Sequence, residues 1–343
     1  MKILVFGDCH WSTYSSILRK RGSLFSYRLE NLIQSMNWVE EQAKNNKVNL
    51  IVGLGDFFDK EALNSEEITA LKEINWSNIE HHFLIGNHEM GRNDLFYSST
   101  YIFNKSNFYI ENGPIVRQHK ESKINAVFLP YILNPDKSFL EYVKTFSDTN
   151  YKTVIFSHND IAGIQMGKFV SKSGFDIKDI EECCDLFING HLHNGEKITD
   201  RVINLGNLTG QNFSEDAYKY SHNIMILDTK TLEYELIENP YAINFYRLDA
   251  VNHTPNFASL KKNAVITLRC MEKDSDGWAE DIKNCPNIIE SRILIEREVL
   301  PKESVDSAKD GLVSDHISEF KKYVTETLGA SDIVLEELEE VCK

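Results

Sequence analysis

Short apolar runs recur through the first 230 residues, and five of them end in a cluster of polar residues. Each run is three or four residues long and rich in aliphatic, β-branched or aromatic side chains, which is typical of buried strands. The runs and the clusters that follow them are Ile3–Phe6 before Gly7-Asp8-Cys9-His10, Leu50–Val52 before Gly53-Leu54-Gly55-Asp56, Phe83–Ile85 before Gly86-Asn87-His88-Glu89, Thr153–Phe156 before Ser157-His158, and Leu186–Ile188 before Asn189-Gly190-His191-Leu192-His193. Each polar cluster therefore lies at the carboxyl end of a predicted strand.

A helix is predicted between the first two of these strands. Apolar residues recur there every three or four positions, which is the spacing of one buried helix face, at Leu29, Leu32, Ile33, Met36, Val39 and Ala43. Further strands are predicted at 126–129, 202–204 and 223–227. The alternation of strands and helices predicts an α/β domain whose candidate site lies on loops at the strand ends.

The pattern changes near residue 240, where Asn239-Pro240 interrupts it. The strands predicted beyond that point, at 245–248, 264–268 and 293–295, indicate a smaller α+β domain. Beyond Pro301 the chain has 11 Asp and Glu against 5 Lys, and an apolar stripe at helical spacing runs through it. We therefore predict domains over 1–239 and 240–300 and a helical tail over 301–343.

The composition is that of a globular protein, with 42% hydrophobic and 26% charged residues in a chain of 343. The net charge of −15 argues against a protein that merely coats DNA, because phosphate neutralisation needs an excess of Lys and Arg. No apolar run approaches the length of a membrane span, and the first one is a strand rather than part of a secretion signal. The six cysteines form no C-x-x-C pair, so we expect reduced thiols and a cytoplasmic location.

The polar clusters together contain a set of residues suited to two-metal hydrolysis. The set consists of Asp8, His10, Asp56, Asn87, His88, His158, His191 and His193. Asp-x-His and His-x-His place alternate side chains on one side of an extended segment, so each pair can reach one site. Imidazole and carboxylate ligands suit Mn, Fe, Zn or Ni. Divalent ions lower the pKa of water that they bind, so such a site needs no serine or cysteine nucleophile.

The ordered set of motifs resembles the calcineurin-like metallophosphoesterase superfamily over roughly residues 1–230. The resemblance implies a four-layer αββα sandwich and a metal-dependent phosphodiesterase with two divalent ions, Mn²⁺ being the favoured metal. It implies that the first ion is bound by Asp8, His10 and His193. The second would be bound by Asn87, His158 and His191, with Asp56 bridging the two. His88 matches the catalytic histidine that contacts the substrate phosphate without binding metal.

Within this superfamily, the chain is similar to the SbcD/meiotic-recombination-eleven branch of DNA repair nucleases. Gly55-Asp56-Phe57-Phe58-Asp59 resembles the second motif of that branch. The passage from Leu205-Gly206-Asn207-Leu208-Thr209 through Glu215 and Asn239-Pro240 to Phe245-Tyr246-Arg247-Leu248 resembles the junction between its nuclease and capping domains. The likeness implies that 240–300 is a capping domain and that the tail binds an SbcC-type coiled-coil ATPase.

The same likeness implies a nuclease subunit that processes DNA ends in double-strand-break repair and recombination. The implied activities are a 3′–5′ exonuclease on duplex DNA and an endonuclease on single strands. A homodimer is also implied, in the cytoplasm of a cell or of a host if a phage encodes the chain. No Gly-x-x-x-x-Gly-Lys-[Ser/Thr] motif is present, so the ATPase must be another chain.

Two alternatives stay open at this point. One is the same chemistry on another substrate, as in a phosphoprotein phosphatase or a cyclic-nucleotide phosphodiesterase. The other is a non-catalytic scaffold, which the complete set of ligand residues disfavours. The sequence singles out no substrate-binding residue, and scattered basic residues such as Arg28 and Arg92 are interpreted as solvated side chains. Glu89 is a candidate for a supporting hydrogen bond, and Cys9 should point away from the site by strand alternation.

Overall fold

Two six-stranded sheets form the centre of the protein in a computed structural model, which describes residues 1–14, 18, 20–166 and 169–297. The first sheet has, in spatial order, the strands β14 (Tyr234–Glu238), β13 (Asn223–Asp228), β1 (Lys2–Phe6), β2 (Leu50–Gly53), β3 (Glu80–Leu84) and β4 (Phe108–Glu111). Strands β1 to β4 are parallel, whereas β13 and β14 are antiparallel to their neighbours. The predicted tail over 301–343 lies outside the described residues.

The second sheet is also parallel at its centre. Its strands are, in spatial order, β11 (Glu196–Lys197), β12 (Val202–Asn204), β10 (Leu186–Asn189), β7 (Lys152–Ser157), β6 (Ile124–Leu129) and β5 (Ile115–His119). A two-stranded hairpin, β8 (Gln165–Met166) with β9 (Phe169–Val170), follows β7 in the chain. Strands β6, β7, β10 and β12 run parallel, so the segments after β7 and β10 leave the sheet at the same edge.

Alternating side chains of each strand enter two different cores, which makes the domain four layers thick. Ile3 and Val5 of β1 pack against residues of the second sheet such as Phe156 and Ile188, in the core between the sheets. The intervening Leu4 belongs to a separate core on the outer face of the first sheet. The outer face of the second sheet is covered by another apolar cluster. The predicted αββα sandwich is confirmed.

Five α-helices are present in the described residues. They are α1 (Tyr27–Asn45), α2 (Ser65–Ala70), α3 (Lys137–Phe146), α4 (Ile177–Cys183) and α5 (Ser275–Asn284). Helix α1 is the predicted one, and its Leu29, Leu32 and Met36 pack on the first sheet. Helices α3 and α4 contribute Leu140, Val143 and Ile180 to the outer core of the second sheet. No described helix combines the length and the apolar composition needed to cross a membrane.

The chain beyond residue 243 forms a small sheet of its own. Its three parallel strands are β15 (Asn244–Asp249), β16 (Ala264–Met271) and β17 (Ile288–Glu296), and α5 connects the last two. Tyr246, Leu248, Ile266 and Leu268 are buried in its core. The strands at 245–248, 264–268 and 293–295 are thus confirmed, while the boundaries of a capping domain over 240–300 stay a prediction.

Candidate metal centre

The loops after β1, β2, β3, β7 and β10 bring the eight predicted site residues into one cluster. The Nε2 atoms of His10 and His193 lie 3.2 Å apart, and Asp56 Oδ2 lies 3.1 Å from His158 Nε2. Asn87 Oδ1 is 3.2 Å from the same nitrogen of His158. Three overlapping groups have ligand atoms close enough to share a metal ion: Asp8, His10 and His193; His10, Asp56 and His88; and Asp56, His158 and His191.

Three imidazole rings share one orientation, with Nδ1 toward an oxygen of the protein and Nε2 toward the cluster. Nδ1 of His10 lies 3.2 Å from Asp59 Oδ1, and Nδ1 of His193 lies 2.9 Å from Glu215 Oε1. Nδ1 of His158 donates to the carbonyl oxygen of Leu54 at 2.8 Å. Because that carbonyl only accepts, the neutral ring of His158 carries its hydrogen on Nδ1 and has Nε2 as its ligand atom.

Buried oxygens complete the donor set. Asp8 is wholly buried, and its Oδ2 has no hydrogen-bond partner among the described residues, whereas its Oδ1 accepts from the backbone nitrogen of His191 at 3.1 Å. An unpartnered buried carboxylate oxygen is costly unless a cation neutralises it. Imidazole Nε2 atoms and carboxylate oxygens that converge on one point are suited to a divalent metal ion. The residues present therefore fit such ions.

The backbone is left-handed at three of the predicted ligands. His10 and Asp56 have φ of 47°, and His191 has φ of 69°. Residues other than glycine adopt this region rarely, and such strain gathers at functional sites. Here backbone hydrogen bonds hold it: His10 and Cys9 both donate from their backbone nitrogens to the carbonyl oxygen of Asp56, at 2.9 and 3.1 Å.

Gly86 is needed because the backbone of its loop runs against Asp56. A Cβ atom at this position would lie 2.2 Å from Asp56 Oδ1 and 2.4 Å from the backbone nitrogen of Asp56. With glycine at this position, the Asp56 carboxylate can accept a hydrogen bond from the same loop. The backbone nitrogen of His88 donates to Asp56 Oδ1 at 2.9 Å. The Gly-Asn-His-Glu sequence thereby attaches its loop to the carboxylate that the sequence predicts to bridge two ions.

Burial and neighbouring charges shift the pKa values of three buried residues at the site. Burial raises the pKa of Asp56, but the nearby imidazoles of His158 and His10 outweigh it and hold the pKa well below its usual range. Burial lowers the pKa of His158, yet the carboxylates of Asp56 and Asp8 outweigh this and raise it above that of a free histidine. Burial and the charge of Asp56 raise the pKa of Glu89 to about 8.

Comparison with known proteins decides the family. The family described as calcineurin-like phosphoesterase matches residues 1–195, which is more than half of the chain. The chain belongs to this family. Membership makes this phosphoesterase a hydrolase that depends on divalent metal ions, and the three residue groups above are the candidates for binding them.

Solved structures similar to this phosphoesterase include a dimetal phosphatase from Danio rerio and the protein TT1561 of Thermus thermophilus. The first is 14% identical with a TM-score of 0.43, and the second is 8% identical with a TM-score of 0.40. Each alignment covers 69% of this chain and 98% of the other. Among proteins of curated function, none matches the chain.

His88 occupies the mouth of the phosphoesterase site. Its side chain is 42% exposed, whereas those of Asp8 and His158 are buried. Its ring lies edge-on to the ring of His10, with centroids 4.6 Å apart, and its Nδ1 lies 3.3 Å from the carbonyl oxygen of Asp59. The cavity above it has a volume of about 400 Å³ and is lined by Asp56, His88, His191, His193, Asn212 and Tyr220 among others.

Two acidic residues of the site were missed or assigned no role by the sequence reasoning. Asp160 Oδ1 lies 3.2 Å from His191 Nε2, and Glu215 holds His193. Asp160 follows His158 by two positions, the same alternate spacing that linked the other pairs, so a signal for it was available. Glu215 lies 22 residues after His193 on a separate loop, and its only signal was the resemblance to the nuclease branch.

The sequence also led to expectations for three residues outside the predicted ligand set, and the structure agrees with two of them. Glu89 accepts from the backbone nitrogens of Gly86 and Phe58 at 2.8 and 2.9 Å, so its expected supporting hydrogen bonds are present. The Cys9 thiol points away from the cluster, toward Gly7 and Met36. Arg28 contradicts the interpretation as a solvated side chain, because it is 1% exposed.

Proposed function

We propose that the protein is a DNA nuclease that uses two Mn²⁺ ions per chain. In this proposal it is the nuclease subunit of an SbcCD-like complex, which processes DNA ends in double-strand-break repair and recombination. It acts as a 3′–5′ exonuclease on duplex DNA and as an endonuclease on single strands. Asp8, His10 and His193 would hold one ion, Asn87, His158 and His191 would hold the other, and Asp56 would be shared between them.

The observation that carries this proposal is the way the 205–215 segment completes the centre. The family match ends at residue 195, yet Glu215 holds His193 at 2.9 Å. Within the same segment, the backbone nitrogen of Asn207 donates to the carbonyl oxygen of His193, and that of Leu208 donates to that of Asp8. This segment is part of the sequence that resembles the nuclease branch. The likeness therefore falls on residues that touch the candidate site.

In the proposed reaction, His88 acts on the substrate at the mouth of the site. Divalent ions, when bound, neutralise phosphate charge and activate water for attack. The backbone of His88 is fixed by Asp56 and its Nδ1 faces the Asp59 carbonyl, which leaves Nε2 as the free ring nitrogen. In its protonated form this nitrogen contacts the phosphate and gives its proton to the leaving oxygen, so that the broken ester leaves as an alcohol.

The direct test uses metal-depleted protein reloaded with Mn²⁺ and given end-labelled linear duplex DNA. We expect shortening of the labelled strand that requires Mn²⁺ and is lost in His88→Ala. The matched control is His253→Ala, which changes an exposed histidine away from the site. Hydrolysis of bis-p-nitrophenyl phosphate without cleavage of any DNA, also in the presence of the candidate ATPase, would assign the enzyme to another substrate class.

The proposal also includes two protein partners, an ATPase and a second copy of this chain. The tail over 301–343, outside the described residues, binds an SbcC-type coiled-coil ATPase, and the nuclease domain forms a homodimer in the cytoplasm. Deleting 301–343 should abolish capture of the ATPase while hydrolysis of the small ester continues. An unchanged capture would refute the role of the tail, and sedimentation of a monomer at micromolar concentration would refute the dimer.

A further inference from the structure

The side chain of Arg28 lies beneath the candidate metal centre and reaches the two loops that support His10 and His193. It is 1% exposed, in the first turn of α1. Its guanidinium donates to Ser12 Oγ at 3.3 Å and to the carbonyl oxygens of His10 and Cys9 at 3.0 and 3.4 Å. All three of these acceptors belong to the loop that follows β1.

The same guanidinium also binds the loop that supports His193. It donates to the carbonyl oxygen of Gly210 at 3.4 Å and to Gln211 Oε1 at 2.8 Å. The backbone nitrogen of Gln211 in turn donates to Glu215 Oε2 at 2.7 Å, and the other oxygen of Glu215 faces His193 Nδ1. One planar group thus connects the backbone of His10 with the carboxylate that orients His193.

The helix that carries Arg28 is a rigid base for these contacts. Leu29 and Leu32 are wholly buried against the first sheet, and Ser26 caps the helix by accepting from the backbone nitrogen of Leu29. A buried guanidinium is costly unless its donors are satisfied. Among the described residues, every acceptor of an Arg28 hydrogen bond lies on one of the two loops that support His10 and His193. Arg28 therefore holds these two loops in place.

We propose that Arg28 is a positioning residue that sets the geometry of the group formed by Asp8, His10 and His193. The left-handed backbone at His10 is held from below by the guanidinium, and the ring of His193 is held through Gln211 and Glu215. This role does not depend on whether the substrate is DNA. Lysine cannot replace arginine here, because one ammonium group cannot span both loops as the planar fork does.

The test is Mn²⁺ binding to the metal-depleted full-length chain, measured by calorimetry and by electron paramagnetic resonance of free Mn²⁺. Loss of a partner that orients a metal ligand typically costs roughly 10–100-fold in metal affinity. We expect a weakening of about this size in Arg28→Lys and Arg28→Met, and a smaller one in Gln211→Ala. Gln211 is only partly buried, so its variant tests the same connection with little risk to folding.

Two controls separate positioning from general destabilisation. Val143→Ala removes buried apolar contacts in the outer core of the second sheet, and Arg117→Lys changes an arginine that binds Glu111 away from the site. Both should bind Mn²⁺ as the parent does. Parent-like affinity in Arg28→Lys would show that charge alone suffices, and an equal loss of affinity in Val143→Ala would show that stability alone matters. Either result would overturn the proposal.

Discussion

His10 and His193 turn their Nε2 atoms toward each other at 3.2 Å although 183 residues separate them in the sequence. A carboxylate lies behind each ring, Asp59 at 3.2 Å from His10 Nδ1 and Glu215 at 2.9 Å from His193 Nδ1. When both rings are neutral with their hydrogens on Nδ1, the two Nε2 lone pairs face each other and repel unless a cation lies beside them. A bound metal ion should therefore stabilise the folded chain as well as serve the reaction.

Removal of metal should lower the thermal stability of the protein. An ion that binds only the folded state adds about 2.7 kcal/mol at a concentration of about one hundred times its dissociation constant. We expect the melting temperature to fall when EDTA is added and to recover with excess Mn²⁺, as followed by differential scanning fluorimetry. His193→Ala should show a much smaller recovery, because the group with Asp8 and His10 is then incomplete. Identical melting curves with and without metal would contradict this expectation.

Glu215→Gln should weaken metal binding while the fold is retained. The amide has one oxygen where the carboxylate has two, so it cannot accept from both the Gln211 backbone nitrogen and His193 Nδ1. It also removes the negative charge that raises the pKa of His193 against the opposing effect of burial. We expect a loss of roughly tenfold in Mn²⁺ affinity by calorimetry. Glu235→Gln, at an exposed position of β14, is the matched control and should bind as the parent does. An unchanged Mn²⁺ affinity in Glu215→Gln would show that the Glu215 carboxylate does not support metal binding.

His88→Ala should slow turnover without weakening metal binding. The side chain is exposed at the mouth and its loop is held through its backbone, so its removal leaves the buried ligands in place. General acid catalysis typically contributes roughly 10²–10⁴-fold, and we expect kcat on a phosphodiester with an alkoxide leaving group to fall by roughly a hundredfold. The fall on bis-p-nitrophenyl phosphate should be smaller, because nitrophenolate leaves without a proton. Mn²⁺ affinity measured on the same sample should stay within about threefold of the parent, since larger losses are typical of contacts that orient a metal ligand. A large fall in affinity would instead make His88 a metal ligand.

The buried pair of Glu40 and His81 should make stability depend on pH. Glu40 Oε1 lies 2.7 Å from His81 Nε2, and both side chains are buried. Burial raises the pKa of Glu40, but hydrogen bonds from His81 and Ser77 outweigh it and lower the pKa below its usual value. The folded state thus binds the proton less tightly than the unfolded state. The stabilisation is present above the unfolded pKa of about 4.3 and is lost as the pH falls through the lower folded value.

Glu40→Gln measures this effect by urea unfolding in chelator at a series of pH values. At neutral pH the variant should lose about 2 kcal/mol of unfolding free energy, since a hydrogen bond to a buried charged carboxylate contributes about 1.5–3 kcal/mol and the amide replaces it with a weaker one. The difference from the parent should shrink below about pH 4.3. Glu235→Gln is again the exposed control. A difference that stays constant down to the acid limit would show that the carboxylate charge of Glu40 does not stabilise the fold.

The strands and the location of the site could be predicted from the sequence because both depend on local order. A short apolar run predicts a strand wherever it lies, and the carboxyl ends of parallel strands meet at one edge of a sheet. The clusters that hold Asp8, Asp56 and His158 therefore converge as expected. The left-handed backbone at Asp56 was not predicted, because the hydrogen bonds that hold it come from Cys9 and His10, on a different strand end.

The polar face of α1 shows why contacts between segments distant in the sequence could not be predicted. Arg28, Asn31 and Ser35 lie on one face of the helix, and such a face is ordinarily solvated. Here Thr209, Asn239 and the carbonyl oxygen of Tyr241 cover it through hydrogen bonds to Asn31 and Ser35. The helical pattern identifies a polar face but does not identify the later segment that covers it. The burial of Arg28 likewise depends on segments distant in the sequence, the loop after β1 and the residues Gly210 and Gln211.

The site residues are divided between the two sheets. The loops of the first sheet carry Asp8, His10, Asp56 and Asn87, and those of the second carry His158, His191 and His193. Two of the three candidate groups therefore contain residues from both sheets. Their spacing is set by the apolar layer in which residues such as Val5 and Ile188 interlock. The apolar layer thus fixes the distance between ligands that belong to different sheets. Removing a methyl group from this layer should change that distance, although the substitution lies far from any ligand.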